Sequence, residues 1–398
     1  RCPAAGHLLP GCRGAQPGPE PSERGAAVSP GHLILLAVQW ATGAWLLARI
    51  PPPRVSPPAG PGPAPALPTV SVIIPARNEE ASLPHLLASL ATQTHVADEV
   101  IVVDDHSEDA TAAVAATGGA RVLDAPPLAD GWLGKPAACT AGAARAVGDL
   151  LVFLDADVTL APGALAALVD EHRRRGGLVS VQPHHVTVRP YERLSAICNV
   201  VSMMGTLGFT GPPRREVAMA FGPCLITGRA DYDAVGGHTD LTVRSQVIED
   251  IALARCYRAA GRAVTVLGGR TMVRFRMYPG GVRQLIDGWT RSLGVGARGA
   301  SPVAIVGPFL WVWGAVVAGW DGVAALAGGP HRLVNAVIYA VWAAEIGWML
   351  RRVGRFGALS AALFPVPLIA FVALFIRSGI LLVAQRQVRW RGRMVRRS

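Results

Sequence analysis

The run Leu150-Leu151-Val152-Phe153-Leu154-Asp155-Ala156-Asp157 joins five apolar residues to two carboxylates one residue apart. A short, continuous apolar run reads as a strand buried on both faces, as in a parallel sheet. Residues 70–74 and 100–103 are two further β-branched runs of this kind, with helical periodicity over residues 81–93 between them. Strand, helix and strand in alternation predict an open α/β sheet, and such sheets bind ligands beyond the carboxyl ends of their strands. Asp155 and Asp157 fall at such an end.

Outward from this region the texture changes twice. Hydrophobic residues make up 51% of the 398-residue chain and charged ones only 16%, which suits a soluble domain joined to bilayer segments. Residues 1–32, rich in Gly, Pro and Ala, are expected to be disordered, and the start at Arg1 is set aside from fold reasoning. Residues 33–49 read as a membrane anchor and 50–68 as a stiff Pro-rich linker. The α/β texture holds over 69–300, followed by a membrane region of two to three helices over 301–385 and a basic tail over 386–398. The apolar stretches there are 303–326, 333–350 and 358–384; the last, broken by Pro365 and Pro367 and carrying Arg377, reads as re-entrant or interfacial. The formal net charge of +11 is mostly arginine, and an acid-free arginine tail directly after an apolar run favours anionic lipid headgroups over nucleic acid. Four full crossings would put both chain ends opposite the catalytic domain, whereas the basic tail argues for the cytoplasmic side, where the domain is expected. One apolar segment is therefore expected not to span. Six scattered cysteines without a C-x-x-C pair point to reduced thiols, and no His/Cys cluster has zinc spacing.

Five constellations carry chemistry, each with a plainer alternative. Asp155 and Asp157 suit a hard divalent cation, Mg²⁺ or Mn²⁺, shared with substrate phosphates; alternatively they form a turn or cap before the helix over 161–172. Asp104 and Asp105 close the strand over 100–103, where a carboxylate accepts from a nucleobase imide, while Ser107 and Asp109 suit capping of the next helix. Pro75-Ala76-Arg77-Asn78-Glu79-Glu80 stops the first strand and opens a helix whose N-terminus suits an anion or a base edge; Glu80 serves the helix dipole. Gly131-Trp132-Leu133-Gly134-Lys135 offers a point charge for a donor phosphate, or simply a solvated lysine. Glu249 and Asp250 open an amphipathic helix; they cap it, or one of them is the base that deprotonates an acceptor.

In order and spacing these pieces resemble the inverting glycosyltransferases of family 2. The matching segments are V-S-V-I-I-P-A-R-N-E from Val70, V-V-D-D-H-S-E-D-A-T from Val102, G-K-P-A-A from Gly134, F-L-D-A-D from Phe153, and E-D at Glu249–Asp250. The resemblance covers roughly residues 69–300 and implies a GT-A fold, a Rossmann-like open sheet, flanked here by transmembrane helices. It further implies that Pro75, Asn78, Glu79, Asp104, Asp105 and Lys135 lie around the nucleotide, that Asp155 and Asp157 serve nucleotide and metal, and that Asp250, with Glu249 beside it, is the base.

Phe221-Gly222-Pro223-Cys224 is similar to the segment that family members place beside the acceptor. Gln284 to Trp289 occupies the place of the Q-x-x-R-W motif of ceramide and polysaccharide members, but is one residue longer and has no Arg before Trp289. This departure argues against processive polymer synthesis and ceramide glucosylation. G-W at Gly288–Trp289, with G-W-L-G-K and G-P-C, is more similar to the bacterial carotenoid-acid glycosyltransferases of the diaponeurosporenoate type and to hopanoid-associated relatives. Trp289 also suits a membrane-interface aromatic. The resemblance implies a UDP-sugar donor, glucose by preference, and a lipid acceptor. A polyprenyl-phosphate acceptor is the neighbouring alternative. A nucleotidyltransferase would carry a Gly-rich phosphate loop, which residues 75–80 lack, and a degenerate scaffold would have lost the carboxylates that are all present.

Overall fold

The computed structural model describes residues 29–55, 67–212, 217, 219–297, 300–329 and 331–384, with the backbone of 388–390 and 393–395. Residues 1–28 of the segment expected to be disordered, most of the Pro-rich linker and the side chains of the basic tail lie outside these residues; the end of that segment, from Pro30, is instead the start of a helix capped by Ser29. Eleven strands build the catalytic part: β1 (Val70–Ala76), β2 (Glu99–Asp104), β3 (Arg121–Asp124), β4 (Leu150–Leu154), β5 (Val158–Leu160), β6 (Leu178–Gln182), β7 (His184–Val186), β8 (Cys224–Gly228), β9 (Val264–Gly268), β10 (Val273–Phe275) and β11 (Gly354–Arg355). Seven of them form one sheet in the order β3-β2-β1-β4-β8-β6-β9. β8 runs antiparallel to both its neighbours, and the other pairs are parallel.

Helices cover both faces of this sheet, so the strands are apolar throughout rather than alternating. Val70, Val72, Ile74, Val152 and Leu154 pack on one face with Leu83, Leu86 and Leu90 of the Leu83–Ala91 helix and Leu165 and Leu168 of the Ala164–Arg175 helix. Ile73, Ile101, Val103, Leu151 and Phe153 pack on the other with Ala138 and Ala143 of the Gly134–Arg145 helix and Leu253 and Tyr257 of the Glu249–Ala259 helix. Contrary to the sequence reading, Pro75 does not stop the ladder: Pro75 pairs with Val103 and Ala76 with Asp104. The Ala76 carbonyl faces β2, accepting from Asp105 N, so by alternation Pro75 faces β4, where pairing has already ended at Ile73. The missing donor falls where no bond was needed.

A second sheet, in the order β11-β7-β10-β5, ties the catalytic part to the membrane part, because β11 directly follows a membrane helix. Among the described residues three helices are long and apolar enough to cross a membrane: Pro302–Leu326, Arg332–Val353 and Pro365–Val383. The Pro30–Leu46 helix, at 17 residues about 25 Å long, lies against the first of these. Small residues permit the close approach: a Cβ on Gly43 would lie 2.0 Å from Trp311, and one on Gly314 2.5 Å from Trp342.

The contacts of the last apolar stretch show that it folds back on itself as a hairpin. The Arg332–Val353 helix ends on the catalytic side, since Gly354 pairs with His185. Residues 358–364 then descend along that helix: Ala361 lies against Gly347, Tyr339 OH donates to the Ala362 carbonyl at 2.5 Å, and Phe364 stacks on Tyr339 at 4.9 Å. Tyr339 lies fourteen residues before Val353, roughly 21 Å deep at 1.5 Å per residue. Pro365 starts from that depth, beside Gly319, and Ser378 returns to the catalytic side, accepting from Gly294 N at 2.8 Å and donating to the Thr290 carbonyl at 2.5 Å. Ser378 and the sheet therefore lie toward the same end of these helices.

Candidate active site

Register alone collects most of the singled-out residues at one rim. β2, β1 and β4 are adjacent and parallel, so Asp104–Asp105, Pro75–Asn78 and Asp155 all follow carboxyl ends of neighbouring strands. Asp105 and Asp155 flank β1, about 10 Å apart by strand spacing. β8 runs the other way and begins at this rim: Leu154 pairs with Cys224, and Asp155 N donates to the Pro223 carbonyl at 3.0 Å.

The centre of the rim is a lysine among carboxylates. Lys135 Nζ lies 2.7 Å from Asp155 Oδ1 and 2.9 Å from Glu249 Oε1. Burial alone would lower the lysine pKa, but the charges of Asp155 and Glu249 override it and hold the ammonium well above its ordinary value. Asp250 accepts from Gly222 N through Oδ2 at 2.5 Å and from Ile251 N through Oδ1 at 3.0 Å. Burial, then the charge of Glu249, pushes its carboxyl up to about 7, against the pull of Lys135. Glu249 and Asp250 thus do more than cap their helix: three separated segments meet here. Gly222 admits this closeness, since a Cβ there would lie 3.0 Å from Lys135 Nζ and 3.2 Å from Asp250 Oδ2. Behind the site His238 is buried, its Nδ1 2.8 Å from Tyr232 OH, and burial followed by the charge of Lys135 pushes its pKa down to about 3.

The loops after β1 and β2 are braced on each other. Asn78, at φ 53°, accepts from Glu108 N at 2.8 Å and donates its own N–H to Ser107 Oγ at 3.0 Å. Glu79 N donates to Thr111 Oγ1 at 2.8 Å, and Glu80 accepts from Ala110 N at 3.0 Å. Asp109 accepts from Glu80 N and Thr111 N, so it braces the loop beside the Thr111–Thr117 helix, whose N-cap position is held by Ala110 and not by Asp109. Asp104 is committed to the turn, accepting from Ser107 N and Ser107 Oγ, which leaves Asp105 as the carboxylate at the rim. Sequence reasoning missed two neighbours of Asp105. Arg77 donates to its carbonyl at 2.6 Å and lies 4.0 Å from Oδ2, and His106 Nδ1 lies 3.3 Å from Oδ1. No spacing rule points to either.

On the other flank three residues occupy positions the sequence did not foresee. Cys224 is at the rim, but its thiol packs into the sheet core with Val152 and Leu154, so it presents backbone only. Gln284 accepts from Gly280 N at 2.8 Å, bracing the start of its own helix, Val282–Ala297. Trp289 is 5% exposed, donates to Ser195 Oγ at 2.9 Å and meets Tyr278 edge-on at 6.1 Å. It is a packed strut beneath the site and not an aromatic at the lipid surface.

Among the described residues no group of three or more His, Cys, Asp or Glu side chains is arranged to hold a metal ion. The donor set nonetheless fits Mg²⁺ or Mn²⁺, which characteristically take one or two carboxylates and complete their shell with substrate phosphate and water. Asp155 and Asp157 supply two hard carboxylates on one turn, and Asp155 already attracts a cation, the Lys135 ammonium.

Residues 71–235 match the family model described as "Glycosyl transferase family 2". The chain is 37% identical over 333 residues to a 4,4'-diaponeurosporenoate glycosyltransferase of Staphylococcus haemolyticus, covering 82% of this chain and 88% of the relative. A protein of the same name from Staphylococcus aureus is also 37% identical, over 81% of this chain and 87% of its own length. Among solved structures, the mannosyltransferase PcManGT from Pyrobaculum calidifontis, described in complex with GDP-Man and Mn²⁺, aligns with a TM-score of 0.51 at 18% identity, over 87% of this chain and 96% of that one. That likeness shows the GT-A fold.

Proposed function

The chain belongs to glycosyltransferase family 2, and on that premise we propose that it moves a sugar, glucose by preference, from a UDP-sugar onto an apolar carboxylic acid of the carotenoid-acid class held in the membrane. The observation that carries the proposal is the convergence of Lys135, Asp155, Glu249 and Asp250 at one rim, against Gly222 and in a chain that also carries apolar helices long enough to cross a membrane. The acceptor class is drawn from the names of the two staphylococcal relatives and from the membrane helices.

The roles follow from position. Asp105, held by Arg77, faces the base edge with Asn78 and Glu79 beside it. Asp155 and Asp157 would hold a Mg²⁺ or Mn²⁺ that, when bound, neutralises charge on the departing diphosphate. Lys135 adds a fixed positive charge to the same oxygens, so positive charge is in place as negative charge grows. The acceptor oxygen attacks from the opposite face and inverts the anomeric carbon. A carboxylic acid acceptor is already ionised near neutral pH, with a reference pKa of about 4, so Asp250 positions the acceptor instead of taking a proton from it. The catalytic part is assigned to the cytoplasm, because Arg351, Arg352 and Arg355 mark the end of the crossing helix on its side.

The test is chemical. Purified enzyme is incubated with radiolabelled UDP-glucose, a divalent cation and membrane-extracted acceptors, and the product is treated with mild alkali. A glycosyl ester releases its label in alkali. An alkali-stable glycoside would mean a hydroxyl acceptor, and an acid-labile, alkali-stable phosphodiester would mean a polyprenyl phosphate.

A further inference from the structure

We infer that Arg270, Arg274 and Arg355 form a binding site for the phosphodiester headgroup of an anionic phospholipid on the catalytic side of the membrane. This goes beyond the proposed reaction and rests only on the membrane placement of the helices.

The sheet register puts the charges on one face. In the second sheet Arg274 pairs with His184 and Arg355 with Val186, in parallel strands on either side of β7. Residues in register point the same way, and His184 and Val186 are two apart, so Arg274, His184 and Arg355 share a face. The opposite face is apolar: His185 packs there between Phe275 and Phe356, at ring-centroid distances of 5.1 Å from each. Arg270 is on the turn before β10, next to Gly269, where a Cβ would lie 2.9 Å from His184 N, and its charge, with those of Arg355 and Arg274, weighs against protonation of His184. Among the described residues none of these three arginines forms an ion pair with an acid. Arg276, two residues along β10 from Arg274, is by contrast fully matched, its Nε and Nη2 donating to Glu192 at 3.1 and 2.7 Å. His184, on the same face, is 9% exposed and its Nδ1 is buried without a hydrogen-bond partner.

The depth of the cluster identifies the ligand. Arg352, in the last turn of the Arg332–Val353 helix, donates to the carbonyls of Leu47 and Ala48 just past the end of the Pro30–Leu46 helix and lies 4.4 Å over the Trp348 ring. Two membrane helices therefore end at one level. Arg355 follows that level by three residues, and Arg270 follows Gly268, whose N–H donates to the Pro51 carbonyl at 2.9 Å. Headgroup phosphates occupy the ~5–8 Å layer just outside the hydrocarbon. Three unpaired guanidiniums in that layer, presenting forked donors, match a phosphodiester in charge and geometry.

The test uses the full chain in a zwitterionic detergent. Melting is followed while phosphatidylglycerol, phosphatidylcholine or inorganic phosphate is added, and bound lipid is counted by native mass spectrometry. Phosphatidylglycerol is expected to raise Tm and be retained, with phosphatidylcholine and phosphate having little effect. The triple variant Arg270→Gln, Arg274→Gln, Arg355→Gln should lose affinity on the order of a hundredfold, at about fivefold per charge. Should the triple variant not fold, Arg355→Gln alone, at an exposed position, should show the fivefold loss. A control chain with Arg389, Arg391, Arg396 and Arg397 changed to Gln should keep the response. An equal response to free phosphate, or a response lost with the tail and kept in the triple variant, overturns the assignment.

Discussion

Replacing Lys135 with methionine keeps an unbranched apolar stem, one atom shorter, and removes the ammonium group. In the native site that charge lies 2.7 Å from Asp155 and 2.9 Å from Glu249, and it also lowers the carboxyl pKa of Asp250. Without it three carboxylates face one another with no cation. A contact ion pair near 4 Å at an effective dielectric of 20 is worth about 4 kcal/mol. The Lys135 side chain is 35% exposed, however, so solvent screens the pairs and the expected stability loss is about 1–3 kcal/mol. For a chain of this size that is a Tm decrease of roughly 1–4 °C. The chemical loss should be larger, about 10²–10³ in kcat, as for removal of one preorganised electrostatic partner of a developing anion. Because the freed carboxylates attract a divalent cation, millimolar Mn²⁺ should restore part of the Tm and little of the kcat. Initial rates with labelled UDP-glucose, measured beside melting curves with and without Mn²⁺, check both. A variant within threefold of wild-type kcat would refute the placement of Lys135 at the reacting diphosphate.

Gly222→Ala should fold normally, because its φ lies outside the left-handed region, yet it puts a methyl 3.0 Å from Lys135 Nζ and 3.2 Å from Asp250 Oδ2. We expect kcat/KM to fall on the order of tenfold or more through displacement of those groups, with Tm nearly unchanged. The Asp250 carboxyl, raised to about 7, is protonated below that pH and ionised above it. With an anionic acceptor the neutral form is the compatible one, so kcat/KM should decline as pH rises through about 7, and Asp250→Asn should flatten the decline while costing less than Asp155→Ala; a rate that climbs through the same range would indicate a proton-abstracting base. For the hairpin read as re-entrant, single cysteines replacing Ala384 and Asp240 in a background lacking Cys2, Cys12 and Cys256 should react with an impermeant reagent from the same side of sealed vesicles. A cysteine at Gly328 should react only from the other side, and labelling of Ala384→Cys together with Gly328→Cys would exclude the hairpin.

What the sequence revealed and what it hid divide along contact range. The strand over 150–154 and its terminal carboxylates were legible because buried parallel strands are apolar on both faces and polar residues gather at their ends. Parallel register then brought Asp105 and Asp155 to one rim without further information. The second sheet was not legible: its strands are two to three residues long, and β11 pairs with a partner 169 residues earlier, Gly354 with His185. No local pattern encodes such a contact. Glu192, which no local pattern singles out, is fully buried and receives Arg276. Trp289 and Gln284 were read by analogy with a motif the chain carries in altered spacing, and the structure uses them as a strut and a brace for the interface helix. The direction of the last helix depended on Tyr339, Phe364 and Ser378, three side-chain contacts invisible to hydropathy.

The claim on which everything rests is that carboxylates from separate segments hold a cation and a nucleoside diphosphate together at this rim. Titration of Mn²⁺ by electron paramagnetic resonance, with and without UDP, on the full chain and on Asp155→Asn tests it directly. The account predicts weak Mn²⁺ binding alone, tight binding when UDP is added, and loss of the UDP-dependent increase in Asp155→Asn. Equal UDP-dependent binding by the two proteins would contradict it.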